Sequence, residues 1–88
     1  MIIEKIKTLL SEQLNISKLK ILDESNQHKN HPQSNGGHFK LNIISSDFKS
    51  KNLIERHRII YRILDSMINK EIHAISISAK TPEEDTNS

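Results

Sequence analysis

The chain contains no cysteine. It cannot supply a thiolate as nucleophile, redox partner or metal ligand, and internal disulfides are excluded. Aromatics are scarce: Phe39, Phe48 and Tyr61, with no tryptophan. Core volume must therefore come from aliphatic side chains, and isoleucine leads them. Only two glycines and two prolines punctuate the 88 residues. No apolar run approaches the length of a membrane span. The start, Met1-Ile2-Ile3-Glu4-Lys5, lacks the basic lead and long apolar stretch of a secretory signal. The reading is one small domain, soluble and cytoplasmic, with a modest core.

What the chain does hold is histidine. There are five, at positions 28, 31, 38, 57 and 73. Imidazole binds metals and moves protons near neutral pH, so these residues carry whatever site chemistry the chain has. The formal charge of +2 is unevenly spread. Between Lys49 and Arg62 stand Lys49, Lys51, Arg56, Arg58 and Arg62 against the single acid Glu55. Such a segment meets phosphates or an acidic partner surface, or is simply a solvated helix face. The last residues, 81–88, hold Glu83, Glu84 and Asp85 and no base.

Hydrophobic periodicity supplies the elements. Ile2, Ile3, Ile6, Leu9, Leu10 and Leu14 recur at helical spacing, so residues 2–14 read as an amphipathic helix. Residues 18–23 alternate as a short strand. Residues 24–37 are polar, hold Pro32, Gly36 and Gly37, and form a long loop carrying His28 and His31. Residues 38–45 alternate cleanly, with Phe39, Leu41 and Ile43 on one face and His38, Lys40 and Asn42 on the other. Residues 52–69 read as the main helix, with an apolar arc of Leu53, Ile54, His57, Ile60, Tyr61, Leu64, Met67 and Ile68. Ile59 and Ile63 lie on its flank, either widening the core face or marking a partner contact. Residues 72–79 form the last strand.

The order is α-β-β-α-β, an α+β fold. The first two strands pair antiparallel across the loop. The second and third, joined by a helix, run parallel with a right-handed crossover. A three-stranded mixed sheet results, with the helices covering one face. Residues 1–80 form the domain and 81–88 an acidic, disordered tail.

Several segments together resemble the BolA family. They are Asp23-Glu24-Ser25 before a histidine-bearing loop, Gly37-His38-Phe39 opening the second strand, and Ile43-Ile44-Ser45 with Phe48 after it. Arg56-His57-Arg58-Ile59-Ile60-Tyr61, Ile72-His73-Ala74-Ile75-Ser76-Ile77 and Thr81-Pro82 complete the set. The resemblance implies a fold similar to a type II KH domain. It implies an adaptor, not an enzyme, that works with a monothiol glutaredoxin on a [2Fe-2S] cluster. For bacterial members it also implies a DNA-binding transcriptional regulator, with a link to stress response.

The resemblance places a cluster-ligand histidine at His73. It places a second in the loop, at His28, with His31 three residues on as the alternate. A [2Fe-2S] cluster takes four ligands, usually thiolates. The isolated chain binds none, because it has no thiolate to offer. A glutaredoxin cysteine and bound glutathione would complete the sphere, so the chain is expected to be a monomer alone and a heterodimer with its partner. Imidazole ligation would raise the cluster potential and make binding pH-sensitive. His38 points away from the buried Phe39 and is left outside the ligand set. His57 is assigned to the core. In the DNA-binding alternative, Lys49, Lys51, Arg56, Arg58 and Arg62 make the contacts. The Gly-x-x-Gly grip of KH domains is missing. Two departures from the family stand out: Ser50 where glycine is common after the turn phenylalanine, and acids after Thr81-Pro82 where tryptophan is common.

Overall fold

The computed structural model describes residues 2–24 and 37–86. The elements run α1 (Ile2–Gln13), β1 (Ile16–Asp23), β2 (His38–Ser45), α2 (Leu53–Ile63), β3 (Ala74–Lys80) and α3 (Pro82–Thr86), with a 3₁₀ turn at Ser46–Phe48. The three strands form one sheet in the order β1-β2-β3. β1 pairs antiparallel with β2, from Asp23 against Phe39 to Lys18 against Ile44, with an irregularity between Ile16 and Lys18. β2 pairs parallel with β3, from His38 against Ala74 to Ile44 against Lys80. The α+β class and the mixed sheet are those the periodicity dictates.

The core follows from two periods meeting. Ile6 and Leu10 recur at helical spacing on α1, and Phe39, Leu41 and Ile43 alternate along β2; all five are buried. Ile60, Leu64 and Met67 close over them from the other side, and Phe48 fills the end by the 3₁₀ turn. Ile59 and Ile63 pack against this cluster, so they widen the core face of α2. At the strand exit, Ser45 accepts from the Asp47 amide and donates to the Asn15 carbonyl, while Asp47 accepts from the Asn15 amide at 2.7 Å. That net ties the end of α1 to the end of β2.

The structure corrects the expected main helix in two ways. α2 stops at Ile63, six residues before the expected end, and residues 64–71 continue as turns. Asn69 takes a left-handed backbone (φ 65°), which asparagine tolerates. Its amide donates to the Ile72 carbonyl, so the chain reverses and delivers β3. The inward face is also rotated. Leu53 and Ile54 are each 64% exposed and Tyr61 is 43% exposed, whereas Arg56 lies buried at 7%. His57 is only half-buried. It lines a groove of about 420 Å³ with Leu53, Ile77 and Lys80 rather than sitting in the core.

Arg56 explains the rotation. Its Nε donates to the Lys51 carbonyl at 2.8 Å and its Nη1 to the Ala79 carbonyl at 3.0 Å. Nη1 and Nη2 also fork onto the Glu84 carboxylate at 2.7 and 3.1 Å. The guanidinium stands over the Phe48 ring, 5.9 Å from its centre. A charge so fully bonded can turn inward.

Glu84 belongs to the segment expected to be a disordered tail. Residues Pro82–Thr86 instead form α3. Thr81 and Glu84 make a reciprocal cap: the Thr81 amide donates to Glu84 at 2.8 Å and the Glu84 amide to the Thr81 hydroxyl at 3.2 Å. α1 and α2 cover one sheet face as expected. α3 reaches round to the end of the other, where Asp85 meets Lys18 at 3.5 Å.

Candidate functional site

The candidate site lies at the sheet end that carries Glu24, after β1, and Gly37, before β2. The strand pair is closed there: the Glu24 amide donates to the His38 carbonyl at 2.8 Å. His73 sits at the same end, one residue before β3, and is exposed. Its backbone is clamped. The Gly37 carbonyl accepts from the amides of both His73, at 2.8 Å, and Ala74, at 3.0 Å.

Gly37 is required there twice over. Its φ of 77° is a region that side chains rarely adopt. A Cβ built on it would lie 2.6 Å from the Glu71 carbonyl oxygen and 2.7 Å from Cδ2 of His73. The imidazole of His73 therefore rests directly against the Gly37 backbone. On the other side, Ile72 is buried, forms an isolated bridge with Ile68, and donates its amide to the Met67 carbonyl. His73 is thus an exposed ring on a backbone fixed from two directions.

The surroundings are electrostatically quiet. Glu71 is held at 2.9 Å by Lys5, and that hydrogen bond keeps its carboxyl below the usual carboxylate range. Among the described residues no three histidine or carboxylate side chains gather to hold a metal ion. His28 and His31, the two expected loop ligands, lie outside the described residues. His38 points to the opposite sheet face, where it lines a cleft of about 170 Å³ with Glu24 and Ser76. His57 stands on α2 in the groove beside β3.

The basic segment divides. Lys49, Lys51, Arg58 and Arg62 are exposed, whereas Arg56 is committed internally. The expectation that Arg56 contacts a partner is therefore corrected. Sequence reasoning also missed Glu84. Its carboxyl is lowered to about 2, chiefly by the hydrogen bond from Arg56 and then by the Thr81 amide. Thr81-Pro82-Glu83-Glu84 is a visible capping-box pattern, so a signal was present.

With that geometry in view, the comparisons with known proteins give the family. The profile of BolA-like proteins matches residues 10–84. A BolA-like protein of Dictyostelium discoideum is 43% identical over 79 residues, covering 89% of this chain and 68% of that one. A Vibrio cholerae protein, the DNA-binding transcriptional regulator BolA, is 32% identical over 84 residues, covering 96% of this chain and 78% of that one. Among solved structures, the BolA domain of SufE1 from Arabidopsis thaliana superposes with a TM-score of 0.81 at 39% identity, covering 92% of each chain. The chain belongs to the BolA family. No helix among the described residues is long and apolar enough to cross a membrane.

Proposed function

We propose that this chain is an adaptor that shares a [2Fe-2S] cluster with a monothiol glutaredoxin and lends it histidine nitrogen. His73 is one ligand and a loop histidine, His28 or His31, is another. The observation that carries this reading is the exposed imidazole of His73 on a backbone clamped by Gly37. A ligand must be accessible to a partner yet held in place, and few surface side chains combine the two. The donor set fits the cluster: imidazole replaces thiolate on one iron in known cluster types. The partner's cysteine and glutathione would supply the sulfur this chain lacks. When bound, the cluster brings one-electron redox chemistry and transferable iron and sulfide; this chain's residues orient the ring and close the strand pair.

The test is to mix the chain with a cluster-loaded monothiol glutaredoxin and record visible circular dichroism. The wild type gives a new spectrum and His73→Ala does not. An unchanged spectrum on mixing removes the adaptor reading.

A second reading is nucleic-acid binding. It is favoured by the name of the Vibrio cholerae relative, a DNA-binding transcriptional regulator. Lys49, Lys51, Arg58 and Arg62 are exposed and available to phosphates. A salt-dependent mobility shift with labelled DNA tests it.

A further inference from the structure

We propose that the outward face of the sheet, opposite α1 and α2, docks a single strand of nucleic acid. This deepens the second reading above and assigns it to a different surface from residues 49–62.

Alternation places Lys18 and Lys20 of β1, Lys40 of β2 and Lys80 of β3 on that face. Between them lie polar groups. Lys20 stands in register with Asn42, which stands beside Ser78; Lys40 stands beside Ser76. Lys18 and Lys20 project about 7 Å apart along one strand, and neighbouring strands add a step of about 4.8 Å. The result is a grid of cations and hydrogen-bonding groups on one surface.

These cations are largely uncommitted. Lys20 and Lys40 are exposed, and among the described residues neither makes an ion pair. Lys18 has a side chain 74% exposed and meets Asp85 only at 3.5 Å. Such a surface contact is weak and yields to a stronger anion. Glu24 and Asp85 are the acids of this face, one at each end. Lys18, Lys20, Asn42 and Ile44 line with Asp85 a shallow concavity of about 480 Å³.

Charge complementarity selects the occupant. A protein interface centres on apolar and aromatic side chains and is poor in lysine. The centre of this face is Lys20, Lys40, Asn42 and Ser76; its Ile44 is covered, at 6% exposure, and its exposed Leu22 stands on the outer strand beside Lys40, a single apolar side chain rather than a patch. A chain of phosphates suits lysines acting as point charges, with Asn42 and the serines available to phosphate or base edges. A duplex groove admits a helix or a two-stranded ribbon, not the flat of a three-stranded sheet. Open sheet faces receive unpaired strands. No phenylalanine, tyrosine or tryptophan lies on this one, and its one described imidazole, His38, stands at the end beside Glu24, so stacking is confined to that edge and recognition is chiefly electrostatic and tolerant of sequence.

The full chain is titrated into a fluorescent oligothymidine of about 16 nucleotides and into a duplex of equal length. Anisotropy is read at low and moderate salt. The single strand binds more tightly than the duplex, with affinity falling as salt rises. Exchanging Lys18, Lys20 and Lys40 together for glutamine weakens binding by about tenfold or more and lowers the salt slope by about two. These side chains are exposed, so far-ultraviolet circular dichroism stays unchanged. Exchanging Lys49, Lys51, Arg58 and Arg62 for glutamine weakens single-strand binding by less than the sheet-face exchange, through net charge alone. If the second set abolishes binding and the first does not, nucleic-acid binding stands but the sheet face is wrong. Preference for the duplex also overturns the proposal. If neither oligonucleotide binds at low salt, the proposal and the second reading fall together.

Discussion

The Gly37 carbonyl oxygen receives the amide of His73 at 2.8 Å, and no side chain fits between the two residues. The start of β2 therefore sets the position of a histidine far along the chain. Gly37→Ala meets both the left-handed backbone and the Glu71 carbonyl at 2.6 Å. We expect a loss of about 2–3 kcal/mol in urea unfolding. The His73 ring signals shift in the variant while those of His57 do not.

Arg56 holds α3 onto the domain. Arg56→Ala leaves Glu84 unpaired and strands the Lys51 and Ala79 carbonyls. The expected cost is about 3 kcal/mol. Arg56→Lys keeps the charge but not the planar fork, and it recovers only part of that loss. Chemical denaturation of both variants measures the difference.

The same pair gives an acid dependence. Glu84 is lowered from 4.5 to about 2 by Arg56 and the Thr81 amide. A depressed carboxylate stabilises the folded chain fully above its unfolded value and less as pH falls through the folded one. The contribution is therefore present above about pH 4.5 and fades toward pH 2. Amide protection in α3, measured relative to the intrinsic exchange rate at each pH, should fall across that window. In Glu84→Gln it should be low throughout.

Ser50 occupies a left-handed backbone, φ 64°, without being glycine. The turn after Phe48 is thus retained at a steric cost of roughly 1 kcal/mol. Ser50→Gly relieves it and should raise the unfolding free energy by a few tenths to about 1 kcal/mol. A lowered midpoint would show that the serine hydroxyl contributes what the backbone loses.

Most of the fold was legible because apolar spacing and strand direction are local quantities. The alternation of Phe39, Leu41 and Ile43 dictated β2, and the helical spacing of Ile6 and Leu10 dictated α1. Arg56 was misread because hydrophobicity alone turns arginine outward. Its burial depends on acceptors from residues 51, 79 and 84, which only the folded chain assembles. The early end of α2 has a similar cause: Ile68 pairs with Ile72 across a turn, a contact that no helical period reveals. At the candidate site, the family resemblance singles out His73, but its clamp on Gly37 depends on the parallel pairing of β2 with β3. The loop histidines, His28 and His31, fall outside the described residues.

On the adaptor reading, His73 nitrogen enters the coordination sphere of a cluster carried by another protein. The direct measurement labels this chain with ¹⁵N-histidine, mixes it with cluster-loaded glutaredoxin, reduces the cluster and records pulsed electron paramagnetic resonance. The expected result is ¹⁵N coupling from two histidines, of which His73→Ala removes one. A mixed complex with no nitrogen coupling, or one whose coupling is unchanged in His73→Ala, contradicts that assignment.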